Sequence, residues 1–170
     1  MNILQTSRLI LREFTPKDVD ALALVLSDAE TMRFYPSAYD RTGVELWIER
    51  SRERYRKDGV GLWAMELATT HELIGDCGVI LQEVDGEHLY EIGYHLRRDY
   101  WHRGLATEAA RACRDWGFAH MKTNRLISLI RPENLASRRV AERMGMTVWK
   151  EVNWHGHPHC VYSIENHTMR

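Results

Sequence analysis

The stretch RRDYWHRGLATEAA, residues 97–110, sets the reading of the whole chain. Arg97, Arg98, His102 and Arg103 gather positive or potentially positive charge ahead of Gly104, and from Leu105 onward good helix formers take over. The segment before it, LYEIGYHL (89–96), alternates like a strand. A strand, a glycine-containing turn and a helix start in succession make a natural site for anionic phosphates. The first N–H groups of a helix have no internal partner, and the helix dipole adds partial positive charge there. Gly104 has no side chain to block a phosphate, and Ala106 keeps the next inward position small. A solvated basic turn in front of an ordinary helix is the plainer alternative. Two other phosphate loops are excluded by their missing motifs: there is no Gly-Lys-Ser/Thr, and no Gly-x-Gly-x-x-Gly after the first strand. What remains is a diphosphate carrier held mainly by backbone.

Outward from this stretch, strands come first and helices cross over later. SRLILREF (7–14) suits an opening strand with one buried face, and TPKDVDALALVLSD (15–28) a helix with Thr15 as N-cap and Pro16 in its first turn. TGVELWIERSRERYRKDG (42–59) predicts a second amphipathic helix that Gly59 ends. LWAMELA, LIGDCGVIL and LYEIGYHL then read as three antiparallel strands. A helix over 105–121, a strand at 125–130, a helix over 133–144 and two short strands around TVWKEV and CVYSI complete the chain. The expected architecture is one α/β domain over residues 1–170.

Composition narrows the function. Lys and Arg number 23 against 24 Asp and Glu, so the positive charge near residue 100 is local and no nucleic-acid partner is expected. Cys77, Cys113 and Cys160 have neither the even count of a disulfide framework nor zinc-site spacing, and are expected as free thiols. No apolar run is long enough to cross a membrane, and MNILQTSRLILREF has no cleavage-like site, so a cytoplasmic location is expected. WHGHPHC (154–160) offers three alternating histidines, but no Cys or carboxylate lies at ligand spacing, and Gly156 to Pro158 reads as a hairpin tip. No metal is expected. Trp47, Tyr55 and Trp63 read as core.

Several segments together carry a resemblance: SRLILREF, LIGDCGV, EIGYHLRRDYWHRGLATEA, NLASRRVAERMGM and the closing strand pair. The chain resembles the GNAT superfamily of acetyl-CoA-dependent N-acyltransferases, and most closely its branch of ribosomal-protein N-terminal alanine acetyltransferases. The resemblance implies a mixed, mostly antiparallel central sheet flanked by helices. It implies one strand splayed from the next, with the pantetheine arm in the gap. Acetyl-CoA is the implied cosubstrate, its pyrophosphate on the turn Arg103, Gly104, Leu105, Ala106 and Thr107. Leu96, Arg97, Arg98 and His102 are the further implied contacts; Asn134 either caps the following helix or hydrogen-bonds the pantetheine amides, and Arg138 and Arg139 either reach the nucleotide phosphates or lie in water. Trp101 stands where the superfamily often has Gln or Arg, and His102 where the branch often has glycine.

Acetylating an amine requires a deprotonated amine, a polarised thioester and a leaving thiolate. A lysine amine (about 10.4) is almost wholly protonated at neutral pH, whereas an α-amine (about 7.7–8.0) is partly free, so a modest base suffices for an N-terminus. By resemblance Glu91 is that base, acting through water; His95, on the same strand face, is the reserve base or else takes a structural or cofactor-side role. A Glu paired with a neighbouring Arg is the structural alternative. A backbone N–H around Leu96 would meet the oxyanion. Ser137 takes the place of a tyrosine general acid whose position is matched by Ala141, with an exposed helix serine as its alternative. Glu108 reads as a dipole complement or structural pair. Phe34 and Tyr35 fall where the family's acceptor loop begins. The expected activity is acetyl transfer from acetyl-CoA to a primary amine, foremost a protein N-terminus. The alternatives are a small amine acceptor or a CoA-binding module without catalysis, and a homodimer stays open beside a monomer.

Overall fold

Short polar turns between alternating segments let the first five strands pair in chain order. The structure, a computed structural model, describes residues 2–166. β1 (Asn2–Gln5) and β2 (Leu9–Arg12) form a hairpin, followed by β3 (Gly61–Leu67), β4 (Leu73–Val84) and β5 (Glu87–Leu96). β6 (Arg125–Ile130), β7 (Thr147–Trp154) and β8 (His157–Glu165) complete an eight-stranded sheet of order β1-β2-β3-β4-β5-β6-β8-β7. Every neighbouring pair is antiparallel except β5 and β6.

Four helices cover the sheet. α1 (Val19–Leu26) follows a single 3-10 turn at Pro16–Asp18, where Thr15 and Asp18 form the capping box. α2 (Arg41–Asp58) starts at Asp40, whose side chain accepts from the Gly43 N–H at 2.8 Å, and ends at Gly59 in the left-handed region (φ 71°). Both helices pack on one face of the sheet through Leu22, Val25, Leu26, Val44 and Ile48. α3 (Leu105–His120) and α4 (Leu135–Arg143) cover the other face, where Leu105, Ala109, Cys113 and Ala141 meet Trp63, Cys77, Val79, Ile92 and Leu126.

Several boundaries differ from the sequence reading. The opening strand is a hairpin, so β1 precedes the expected segment. α4 starts two residues later than expected because Asn134 is its N-cap. The last hairpin turns at His155 and Gly156, both at positive φ, and Pro158 lies within β8 rather than at the tip. All three cysteines are buried free thiols, with Cys77 Sγ 3.5 Å from Cys113 Sγ. Among the described residues no helix is long and apolar enough to cross a membrane.

Candidate active site

The crossover through α3 makes β5 and β6 parallel, and the two are in register only at Tyr90↔Leu126 and Glu91↔Ile127. Past that point they part. Ser128, buried on β6, donates its hydroxyl to the Ile92 carbonyl at 2.8 Å and pins the place where the seam opens. Arg97 N–H donates to Ile74 of β4, while the Ile92 carbonyl turns to β6. Backbone groups alternate sides along a strand, so Ile92, Tyr94 and Leu96 turn theirs toward the open seam. The Leu96 carbonyl accepts from Trp101 Nε1 at 2.7 Å, which sets the path of the chain into the turn below.

That turn ends at the N-terminus of α3. Gly104 is its N-cap, in the left-handed region (φ 75°), and no side-chain cap closes the first turn. Among the described residues a Cβ placed on Gly104 would meet only Arg8, at 3.6 Å, so the space over it is open. His102 also has positive φ (61°), the conformation a glycine takes most easily. Arg103 donates to the Asp99 carbonyl and lies over the Tyr100 ring, while Arg97 is held by Asp99 and Glu72. Arg98 faces Asp28 at 3.4 Å and is largely exposed. Beside the helix start, a cavity of about 470 Å³ is lined by Arg8, Gly104, Thr107, Arg111 and Arg143 among others. Its uncapped N–H groups, open glycine and surrounding cations fit a diphosphate.

Glu108 is a structural pair here. It accepts from Thr6 Oγ1 at 2.6 Å and Arg8 Nε at 2.6 Å, and Arg8 also donates to the Arg103 carbonyl at 2.9 Å. Burial pushes the Glu108 carboxyl up, but these hydrogen bonds outweigh it and hold the pKa below the usual range. The contact ties the β1–β2 turn to the phosphate-like cradle. Arg8, Arg111 and Arg143 escaped the sequence reading: Arg8 and Arg143 are distant in the chain from Gly104, and Arg111 lies two turns along α3, past the glycine turn.

On the opposite face, Glu91, Gly93 and His95 point toward the α1–α2 layer. Glu91 is 9% exposed; Oε2 accepts from Gln82 Nε2 at 2.8 Å and Oε1 from the Leu129 N–H at 3.3 Å. Burial raises its pKa, and these two hydrogen bonds lower it only in part. Each oxygen keeps a second lone pair for a water. Among the described residues no arginine side chain is hydrogen-bonded to Glu91, and Arg54 acts on it through its charge. His95 lies directly across from Asp76 on β4, with Nδ1 2.7 Å from Asp76 Oδ1, and its Nε2 is 2.6 Å from the Tyr35 hydroxyl. Trp47, on α2, donates to Asp76 Oδ2 at 2.9 Å and sets its ring edge-on to His95, so it belongs to this site as well as to the core. The reading of the sequence passed over Asp76, although a carboxylate within LIGDCGVIL is out of place in a buried strand. Above these groups a cavity of about 330 Å³ is lined by Arg33, Phe34, Tyr35, Pro36, Arg131 and His157, with Glu133 beside them.

α4 closes the seam from its other side. Asn134 caps the helix by accepting from the Ser137 N–H at 3.2 Å. The Tyr94 hydroxyl donates to the Ser137 carbonyl at 2.8 Å, so Ser137 stands against the splayed part of β5, half-buried. Arg138 donates to Tyr162 and to the Pro132 carbonyl, and Arg139 is exposed. Among the described residues, no three His, Cys, Asp or Glu side chains are grouped to hold a metal.

A sheet opened at one parallel seam, with an anion cradle at the seam's end and acidic groups across the strand, is the architecture of an acetyl-CoA-dependent acetyltransferase. The model of the acetyltransferase (GNAT) domain family matches residues 8–147, and the chain belongs to that family. It is similar to YkkB, an uncharacterized protein of Bacillus subtilis, at 34% identity over 165 residues, 96% of either chain. The solved acetyltransferase of Agrobacterium tumefaciens is 28% identical with a TM-score of 0.84, covering 98% of this chain and 95% of that one. The fold is also that of RimL, a ribosomal L7/L12 α-N-protein acetyltransferase solved with coenzyme A, at 17% identity and a TM-score of 0.78, over 97% and 98% of the two chains.

Proposed function

We propose that this acetyltransferase acts on a protein N-terminal α-amine, with Glu91 drawing the amine proton through water and Ser137 facing the leaving thiolate. The observation that carries the proposal is the buried carboxylate of Glu91 at the point where β5 and β6 part. Burial raises its pKa toward the working range of a general base. The acetyl-CoA pyrophosphate sits on the turn from Arg103 to Thr107, and the pantetheine arm runs up the seam past Tyr94 and Leu96. There the Leu96 N–H meets the oxyanion that forms when the amine attacks. The amine enters from the cavity beside Tyr35. The three buried thiols and the balanced charge support a cytoplasmic setting.

A small amine is the second reading, favoured by the cavity of about 330 Å³, a volume typical of small-molecule sites. Thiol release from acetyl-CoA, followed with a panel of N-terminal peptides, polyamines and amino sugars, separates the two. Turnover of peptides well above every small amine supports the first reading, and the reverse order overturns it.

Ser137 has a narrower test. Ser137→Ala lowers kcat by roughly 10-fold or more if the hydroxyl donates to the thiolate, while acetyl-CoA affinity stays near wild type. A thiolate (pKa about 8.5) leaves readily, so the effect is smaller than that of a lost base. An unchanged kcat, with chemistry limiting, returns Ser137 to a helix-surface role.

A further inference from the structure

Acetylation of an ammonium removes two protons from nitrogen, one before attack and one as the amide forms. Glu91 accounts for the first. His95 stands four residues further along β5, about 13 Å by strand rise, next to Leu96. We infer that Tyr35, His95 and Asp76 form a relay that takes the second proton from the attacking nitrogen; this rests on the proposed transfer of acetyl to an amine.

The hydrogen bonds fix the direction of the relay. Asp76 is fully buried, and the His95 side chain is 8% exposed. Trp47 Nε1 is a donor only, so Asp76 Oδ2 accepts from it, and Oδ1 is left to accept from His95 Nδ1. Nδ1 then carries the ring proton and Nε2 presents a lone pair, into which the Tyr35 hydroxyl donates at 2.6 Å. Tyr35 spans inside and outside: the residue is 39% exposed at the cavity, yet its hydroxyl turns inward onto His95. Burial of that hydroxyl and the charges of Glu91 and Asp76 push its pKa upward, so Tyr35 passes protons without a net loss of its own. The acidic groups of β4 and β5 and the Tyr35 phenol surround the imidazole, and α2 contributes Trp47.

The step balances. When the amine attacks, nitrogen becomes cationic. Its N–H bond breaks, that proton joins the Tyr35 oxygen, and the phenol's own proton moves to His95 Nε2. The imidazolium rests against Asp76. The C–S bond then breaks with its electron pair on sulfur, the Ser137 hydroxyl hydrogen-bonds the thiolate until the thiolate takes a proton from solvent, and His95 returns its proton to solvent through Tyr35. In these roles Tyr35 touches the reacting amine, whereas Asp76 positions His95 and stabilises its charge.

Two near-isosteric variants test the relay in the full chain. Tyr35→Phe removes the entry hydroxyl at an exposed loop. In Asp76→Asn, Trp47 claims the amide oxygen, so the amide NH2 faces Nδ1 and the ring proton moves to Nε2. The expected result is a kcat loss of roughly 10²-fold in each, equal for α-amine and lysine-like acceptors, with acetyl-CoA affinity unchanged. The double variant should be no slower than the slower single, since groups acting as one unit are not additive. Nitrogen NMR of His95 should find the proton on Nδ1 in wild type and on Nε2 in Asp76→Asn. Losses that multiply in the double variant, near-wild-type singles, or a wild-type proton on Nε2 would each overturn the relay. A wild-type protein that acetylates no amine would sink the amine reading first, and the relay with it.

Discussion

Glu91→Gln lowers the acetylation rate near neutral pH by roughly 10²–10⁴-fold, the usual worth of a general base, while acetyl-CoA binds as before. Gln keeps the shape of the side chain, and its amide oxygen can still accept from Gln82 or from the Leu129 N–H, but it cannot take a proton. The deficit shrinks as pH rises and the amine deprotonates unaided, sooner for an α-amine than for a lysine-like amine. Stability supplies an independent sign. Because burial raises the Glu91 pKa above its ordinary 4.5, the stability linked to its proton is complete below that value and is lost as pH rises through the folded value. Gln has no such proton, so the variant gains thermal stability relative to wild type as pH climbs through that window. A rate deficit independent of pH and acceptor, with lowered thermal stability at every pH, makes Glu91 structural and moves the base to His95 or to solvent.

Gly104→Val weakens acetyl-CoA binding by at least roughly 10-fold in calorimetry. Two effects add. At φ 75° a β-branched residue is strained by roughly 1–2 kcal/mol, which shifts the turn away from its cradle. The side chain also projects into the proposed pyrophosphate space, since among the described residues a Cβ there meets nothing closer than 3.6 Å. Gly104→Asn separates the two effects, because Asn tolerates left-handed backbone but still fills that space. Weak binding in both variants supports a phosphate over Gly104. Wild-type affinity in Gly104→Asn with a loss in Gly104→Val assigns the effect to strain alone, and wild-type affinity in both removes the cradle from the account.

The parts of this site that are local in sequence were legible there. Gly104 after a basic turn marked the start of α3, Gly59 the end of α2, and RLISLI matches β6 residue for residue. Glycine stops and period-2 alternation act within a few residues, so no tertiary knowledge is needed. β1 lacked such a signal: Asn2–Gln5 places two apolar residues, Ile3 and Leu4, side by side rather than in alternation. The anchor of the cradle joins Arg8 to Glu108 across a hundred positions, and only the β1–β2 hairpin brings it there. Tyr35, Trp47, Asp76 and His95 come from a loop, a helix and two strands, so their meeting depends on sheet register. Asp76 itself carried a readable sign, a carboxylate amid apolar strand residues, but its partner did not. The opening of the seam past Glu91 was supplied by family resemblance, since residues that lack a partner strand look the same as those that have one.

Acetyl-CoA is proposed to occupy the seam between β5 and β6 with its phosphates on the start of α3. Titrating the labelled protein with acetyl-CoA while following backbone amide NMR signals tests it most directly. The largest shifts are expected at Tyr94, Leu96 and Gly104 to Thr107, with smaller ones at Ser137. Shifts confined to residues far from the seam, or none at saturating acetyl-CoA, would contradict it.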